Sequence, residues 1–181
     1  MKGSSLLASI AIVVSGLLLS GCGTHMDSTG SNSTSATSKP RLYTSMPQTR
    51  PATGKNVFVF SPNRLMWGAY DGEGNLINQG IASGGAGWCD DIKRPCRTPR
   101  GKFKVTRKGG ADCKSRKFPV GKGGAPMPYC TFFSGGYAIH GSYDVPNYNA
   151  SHGCVRVKPS DAAWLSQNFL NIGTRVVVTD Y

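Results

Sequence analysis

The order of apolar and polar positions predicts a succession of short strands. Residues 56–60 form the first β-rich run, and 65–70 and 76–82 follow on either side of the turn cluster 71–75, which indicates a hairpin. Further strands are predicted at 102–107, 129–133, 137–139, 155–157 and 175–179. The one convincing helix begins near Ser160, with Pro159 and Ser160 or Asp161 at its cap, and ends at Asn171 and Gly173. This pattern predicts a mainly β domain, a β-sandwich or barrel with one or two short helices.

Two long loops interrupt the strands, at 84–99 and 108–128. The second is rich in Gly, Lys and Pro. Structureless loops of this length are uncommon in compact domains unless they serve a function or are cross-linked, so we expect one or both of these here. Whether the second loop moves as a lid is left open.

The N-terminal third differs in composition from the rest. An apolar run at 6–19 is too short for a permanent membrane span and has the length of a secretory signal, which predicts a signal peptide over 1–21. It ends in Leu19-Ser20-Gly21-Cys22, which resembles the lipobox of bacterial lipoproteins and implies an acylated Cys22 anchored in a membrane. The alternative is an ordinary signal peptide that is cleaved nearby, with Cys22 as an incidental thiol. The stretch 22–54 is predicted to be a flexible Ser/Thr-rich linker, and 55–181 the folded domain. Gly23 after the acylated cysteine favours, by the same resemblance, the outer membrane.

The chain is strongly basic. It carries 21 Lys and Arg against 9 Asp and Glu, a formal net charge of +12. Such a surface favours a polyanion, but the basic residues lack the interleaved aromatics of a single-strand nucleic-acid binder. An anionic cell-wall or membrane surface is the better interpretation, and no nucleic-acid partner is expected.

The candidate chemistry lies in Ser151-His152-Gly153-Cys154 and in His140, which precedes it. Cysteine attacks as the thiolate and needs a base nearby, and two of the three histidines of the chain lie close to Cys154 in sequence. Small residues at 151 and 153 let the backbone approach a bound carbonyl and direct an N–H at it. This composition is typical of an acyl-transfer site.

These residues resemble the signature of the L,D-transpeptidase (YkuD-like) catalytic domain, a family of cysteine enzymes that remodel peptidoglycan. The resemblance extends over residues from about 56 to 181 in the family's order. The matching segments are Thr98-Pro99-Arg100-Gly101-Lys102-Phe103, Met127-Pro128-Tyr129, Phe132-Phe133, Tyr137-Ala138-Ile139-His140-Gly141, Ser151-His152-Gly153-Cys154-Val155-Arg156 and Gly173-Thr174-Arg175-Val176-Val177-Val178.

The resemblance implies roles for the catalytic residues. Cys154 is the nucleophile and His140 its base, oriented by a backbone carbonyl just after His140 or by the Ser142 side chain, of which we favour Ser142. His152 shapes the pocket beside the oxyanion, with a second-base role as the alternative. Backbone N–H groups of Gly153 and Cys154 are the candidate oxyanion donors.

Further residues are assigned to substrate binding. Arg156 either holds a substrate carboxylate or forms a structural ion pair. Ser151 and Gly141 flank the catalytic residues, and Tyr143, Tyr148 and Asn149 are expected at the rim of the cleft, either touching substrate or filling space.

Six cysteines are then accounted for. With Cys22 lipidated and Cys154 catalytic, an even set remains in an oxidising compartment: Cys89, Cys96, Cys113 and Cys130. Of three pairings, proximity favours Cys89 with Cys96 and Cys113 with Cys130. None of the spacings is a Cys-x-x-Cys zinc pattern.

The resemblance implies a periplasmic, lipid-anchored peptidoglycan L,D-transpeptidase that needs no metal or organic cofactor. Cys154 would form a thioester with meso-diaminopimelate of a tetrapeptide stem, release D-Ala, and transfer the acyl group to diaminopimelate or to a lysine of a wall-linked lipoprotein. The alternatives are an L,D-carboxypeptidase or lipoprotein-releasing hydrolase, a non-catalytic peptidoglycan-binding lipoprotein, and a zinc site built from His140, His152 and Cys154. The oligomeric state is not indicated by the sequence.

Overall fold

The computed structural model describes residues 45–181, which fold around one curled mixed sheet. Within this range the sheet has nine strands in the order β4-β9-β1-β2-β3-β8-β7-β6-β5. Their bounds are β1 Val57–Ser61, β2 Met66–Tyr70, β3 Leu76–Ser83, β4 Gly101–Lys104, β5 Arg107–Lys108, β6 Thr131–Ser134, β7 Tyr137–Gly141, β8 Val155–Val157 and β9 Arg175–Val178. The mainly β, barrel-like prediction is confirmed.

Curling of the sheet encloses the main core. Phe58, Phe60 and Trp67 point into it from β1 and β2, and Ile139 and Val155 from β7 and β8. The rings of Phe103 on β4 and Phe133 on β6 lie 5.4 Å apart, so the two ends of the sheet approach each other. Successive side chains of a strand point to opposite faces, so the neighbours of Ile139 and Val155 along β7 and β8 lie on the face away from this core.

The strand predicted at 102–107 is two strands. β4 pairs with β9, whereas β5 pairs with β6 at the far edge of the sheet. Between them, Val105 is buried and its N–H donates to the carbonyl of Thr174. The chain therefore crosses from one edge of the curled sheet to the other, a step that the apolar pattern does not encode.

The predicted helix is present but shorter and irregular. Helix α1 spans Pro159–Trp164 and continues as a π-helical segment, Leu165–Phe169. Lys158 occupies the N-cap position with no side-chain cap, so the predicted Ser160 or Asp161 cap is wrong. Asp161 instead accepts a hydrogen bond from Trp67 Nε1 at 3.3 Å, which fastens the helix to β2.

The end of the predicted linker belongs to the domain. Met46 is 3% exposed and packs with Val57 and Val59 on the second face of β1. Its N–H donates to Gln79 Oε1 at 2.6 Å, and the Leu76 N–H donates to the Gln48 carbonyl at 2.9 Å. Both faces of β1 are apolar, and this segment covers the face that the core leaves open.

The predicted signal peptide, Cys22 and the predicted linker up to residue 44 lie outside the described residues. Between residues 45 and 181, no helix has the length and apolar character needed to cross a membrane.

Both predicted disulfides are confirmed. Cys89 is bonded to Cys96 and Cys113 to Cys130. Each bond closes one of the two long loops, which we name the first disulfide loop (89–96) and the second disulfide loop (113–130).

Candidate active site

The register of two parallel strands brings the predicted nucleophile and base to one surface. Ile139 pairs with Val155 and His140 with Arg156 across β7 and β8. Ile139 and Val155 point into the core, so His140, Arg156 and the preceding Cys154 point to the opposite face. There Cys154 and His140 line the same cleft, which has a volume of about 650 Å³.

His140 is held in one tautomer by the backbone. Its Nδ1 lies 2.9 Å from the carbonyl oxygen of Gly141. A carbonyl can only accept, so Nδ1 carries the proton and Nε2 of the neutral ring is left with its lone pair. Burial lowers the pKa of His140 to about 4; the bond to Gly141 opposes this shift and the charge of Arg156 adds to it.

The orienting partner is therefore the Gly141 carbonyl, and the prediction of the Ser142 hydroxyl is wrong. Ser142 Oγ donates to the Asp144 carbonyl at 3.0 Å and accepts from the Asp144 N–H at 3.1 Å. Its hydroxyl is used to close the turn after β7. Gly141 contributes its carbonyl, and it is packed so tightly that a Cβ there would lie 3.0 Å from Pro128.

Cys154 is the free cysteine of the described part of the chain. Its Sγ lies 3.9 Å from the carbonyl oxygen of Gly136. Burial raises the pKa of the thiol, while a hydrogen bond from the Ala138 backbone and the charge of Arg156 partly offset the rise. Since the thiol pKa is raised and the His140 pKa is lowered, both groups are neutral near pH 7.

The turn before Cys154 is shaped by Ser151 and Gly153. Ser151 is 2% exposed, and its Oγ donates to the Cys154 carbonyl at 2.6 Å and accepts from the Gly153 N–H at 3.0 Å. Ser151 thus holds the turn internally and also lines the cleft, and its predicted contact with substrate stays a prediction. Because the Gly153 N–H is already bonded, it is also not the oxyanion donor that we expected.

Gly153 has a conformational reason to be glycine. Its φ is +117°, and a Cβ there would lie 2.2 Å from Cε1 of Tyr137. Both the backbone angle and the ring therefore exclude a side chain. The turn delivers Cys154 to the cleft only with glycine at this position.

His152 is fixed by both disulfide loops. Its Nε2 lies 2.9 and 2.8 Å from the two carboxylate oxygens of Asp91 in the first loop. Its ring stacks on Phe118 of the second loop, with centroids 4.1 Å apart. In the neutral ring Nε2 carries the proton toward Asp91 and Nδ1 keeps its lone pair, so the pocket-shaping role fits these contacts and the second-base role stays a prediction. The hydrogen bond from His152 lowers the pKa of Asp91.

Arg156 forms the ion pair that was one of its two predicted roles. Its Nη1 lies 2.8 Å from Asp144 Oδ2, and the side chain lines the cleft beside His140. The pair places one guanidinium close to the reacting groups with a single carboxylate as partner.

The three rim residues are less involved than predicted. Tyr143 is 97% exposed and Tyr148 62% exposed, and neither lines the cleft. Asn149 accepts from the Gly84 N–H at 2.9 Å and donates to the Pro62 carbonyl at 3.2 Å, which is a structural role.

The zinc alternative is not assembled. Among residues 45–181, the group of possible metal ligands within 4.8 Å of one another is Cys89, Asp91 and His152. Cys89 is in a disulfide, and neither His140 nor Cys154 belongs to this group.

Sequence reasoning missed several residues that build the cleft. Asp91 was detectable, because Asp90 and Asp91 are the acidic residues of the 84–99 loop and lie inside a predicted disulfide. Phe118 gave no such signal, and Tyr137 appeared only as part of the segment that resembles the family, with no role assigned to its ring. The cationic lining was visible only as overall charge; it comprises Arg94, Arg107, Lys114, Arg116 and Lys117 together with Arg156.

Comparison with protein families identifies one match. The family model for the YkuD L,D-transpeptidase catalytic domain matches residues 54–178. None of the curated protein sequences compared with the chain matches it.

Several solved structures are similar. An L,D-transpeptidase from Xylanimonas cellulosilytica shares 30% identity and a TM-score of 0.62, over 72% of this chain and 63% of that one. One from Mycobacterium smegmatis shares 20% identity and a TM-score of 0.58, over 70% and 59%. L,D-transpeptidase 3 from Mycobacterium tuberculosis, solved in complex with a faropenem-derived adduct, shares 21% identity and a TM-score of 0.55, over 69% and 60%. The last two show likeness of fold alone, and the chain spans less than two thirds of each of the three.

Proposed function

Because the chain belongs to the YkuD family of L,D-transpeptidase catalytic domains, we propose that it is a peptidoglycan L,D-transpeptidase with Cys154 as nucleophile. The observation that carries the proposal is the placement of Cys154 and His140 on one face of β7 and β8, lining a single cleft. The neutral imidazole, with Nε2 unprotonated, is the form that accepts a proton from a thiol.

The donor is a tetrapeptide stem, attacked at the diaminopimelate carbonyl that precedes D-Ala. The Cys154 thiol proton moves to His140 Nε2 as sulfur bonds to the carbonyl carbon. The resulting oxyanion collapses, the carbon–nitrogen bond breaks, and His140 returns the proton to the amine of departing D-Ala. The product is a thioester on Cys154.

Transfer reverses these proton steps. An acceptor amine loses a proton to His140 and attacks the thioester, which forms the new amide and releases the Cys154 thiol. The acceptor is a second diaminopimelate, giving a 3-3 cross-link, or a lysine of a wall-linked lipoprotein. Water as acceptor would make the enzyme an L,D-carboxypeptidase or a lipoprotein-releasing hydrolase.

The Cys154 N–H is our candidate for stabilising the oxyanion. It lies at the end of the turn formed by Ser151 and Gly153, and the Gly153 N–H is already bonded to Ser151. A preorganised backbone donor of this kind contributes about 3 kcal/mol to transition-state stabilisation in other acyl-transfer enzymes.

We also propose that the protein acts in the periplasm as a lipoprotein, attached through Cys22 and sorted to the outer membrane. The support is the Leu19-Ser20-Gly21-Cys22 sequence after an apolar run. Metabolic labelling with palmitate should mark the wild type and not Cys22→Ala; equal labelling of both would refute lipidation at this residue.

The catalytic proposal is tested with tetrapeptide muropeptides and with a carbapenem as an acylating probe. Wild type should release D-Ala, and mass spectrometry should show an acyl adduct on Cys154. Cys154→Ser should lose both, and His140→Gln should slow both by about 100-fold or more. Ser160→Ala, on the exposed face of α1, is the matched control and should behave as wild type.

Three outcomes have distinct meanings. Amide products identify a transpeptidase, and D-Ala release without them identifies hydrolysis. Stem-peptide binding with no release and no adduct would refute the enzyme and support a non-catalytic peptidoglycan-binding protein.

A further inference from the structure

The cleft around Cys154 is lined by an excess of positive charge. Five cationic side chains lie in it besides Arg156, and the one acidic residue of the lining is Asp144. Asp144 is already paired with Arg156 at 2.8 Å. The remaining five have no carboxylate partner in the cleft lining; they are Arg94, Arg107, Lys114, Arg116 and Lys117.

Three of these cationic residues belong to a loop whose backbone is fixed by a disulfide and by internal hydrogen bonds. Lys114, Arg116 and Lys117 belong to the second disulfide loop, which is closed by Cys113–Cys130. Inside it the Gly124 N–H donates to the Ser115 carbonyl at 2.7 Å, and the Lys117 N–H donates to Ser115 Oγ at 3.2 Å. The loop therefore presents its charges toward the cleft from a cross-linked frame.

The other two cations come from different elements. Arg94 lies in the first disulfide loop, and the Arg107 guanidinium on β5 lies 3.6 Å from the centroid of the Phe132 ring. Stacking of this kind holds a guanidinium in place while leaving its N–H groups directed outward. Positive charge thus surrounds the cleft from three segments.

A concave site with charge of one sign concentrates ligands of the opposite sign. Guanidinium and ammonium groups recognise carboxylates, and arginine does so with two parallel hydrogen bonds. Resting on the proposed function, we propose that this cleft selects donor peptides by their free carboxylates. Arg116 and Lys117 would be specificity-determining residues, and a stem whose non-reacting carboxylates are amidated would be a poor ligand.

The test is a binding measurement that does not depend on turnover. Full-length Cys154→Ser protein is titrated calorimetrically with two synthetic tetrapeptide stems, one with free carboxylates and one with the non-reacting carboxylates amidated. The free-carboxylate stem should bind more tightly by about two- to fivefold for each ion pair that its free carboxylates form, because a solvent-exposed ion pair contributes up to about fivefold in affinity. Raising the salt concentration should shrink the difference.

Two double variants in the same background assign the effect. Arg116→Gln with Lys117→Gln should weaken binding of the free-carboxylate stem by about four- to 25-fold, because two ion pairs of about two- to fivefold each are lost, and should leave binding of the amidated stem nearly unchanged. Lys102→Gln with Lys104→Gln removes the same charge from β4, outside the cleft lining, and should change neither affinity by more than about twofold.

The outcomes separate this inference from the proposed function. Equal affinity for both stems, or an equal loss in the two double variants, would overturn carboxylate selection. A preserved preference with no D-Ala release by the Cys154 enzyme would refute the transpeptidase and leave selection standing.

Discussion

Protonation of His140 should cost folding free energy in a defined pH range. The side chain is 6% exposed, and burial lowers its pKa from 6.5 to about 4. The unfolded chain takes up the proton below pH 6.5, whereas the folded protein resists it until about pH 4. The stabilisation is complete above pH 6.5 and is lost as the pH falls toward 4, with no further loss from this group below that.

The magnitude follows from the two pKa values. A difference of about 2.5 units corresponds to about 3.4 kcal/mol, because one unit is worth about 1.4 kcal/mol. Between pH 7.5 and pH 4.5 the linkage relation gives a loss of about 2.5 kcal/mol. Stopping at pH 4.5 limits the contribution of carboxylates such as Asp71 and Asp91, whose pKa values are lowered.

The assay compares urea unfolding of wild type and His140→Gln at both pH values. Glutamine keeps an amide donor for the Gly141 carbonyl but does not titrate, and all other groups cancel in the comparison. Wild type should lose about 2.5 kcal/mol more than the variant. If both proteins lose the same amount, or if NMR shows His140 titrating near pH 6.5, the lowering of the His140 pKa by burial is wrong.

Three further changes test the surroundings of the site. Gly153→Ala should lower the free energy of unfolding in urea by about 2 to 5 kcal/mol, because alanine disfavours a φ of +117° and its Cβ would overlap Tyr137. A loss below 1 kcal/mol would contradict this conformation of the turn. Asp91→Asn should slow carbapenem acylation by about tenfold to 100-fold at a nearly constant melting temperature, because it weakens the hydrogen bond that positions His152. An unchanged acylation rate would show that this hydrogen bond is dispensable. Met46→Ala should lower the free energy of unfolding by about 2 to 4 kcal/mol if residues before 55 belong to the domain. No loss of stability would support the predicted linker over 22–54.

Much of the fold was readable because apolar runs and turn residues are local signals. Strand β1 and the hairpin that follows were located within one or two residues, and both disulfides followed from proximity in sequence. The split between β4 and β5 was not readable, since the two parts are separated only by their pairing partners. The buried Met46 was missed because the polar residues around it have the composition of a linker.

Sequence chemistry named the candidate cysteine and histidines of the site, but it did not find several of the residues that contact them. Cys154 and His140 are named by chemistry, but the choice between Ser142 and the Gly141 carbonyl depends on a rotamer and on the turn after β7. Likewise Asp91 and Phe118 reach His152 from loops that are distant in sequence. Contacts that depend on how disulfide-closed loops fold back leave no periodic trace in the chain.

The parallel pairing of β7 and β8 explains why many contacts fix the turn 151–153 before Cys154. A slip of one residue in this register would move Cys154 to the core face and carry Val155 into the cleft, since side chains alternate along a strand. Ser151 opposes such a slip from inside, by bonding both the Gly153 N–H and the Cys154 carbonyl. From outside, Asp91 holds His152 by a hydrogen bond and Phe118 stacks on its ring. The two disulfide loops therefore help to fix the backbone on which Cys154 lies, and the same loops supply four of the five cations that we propose select the donor.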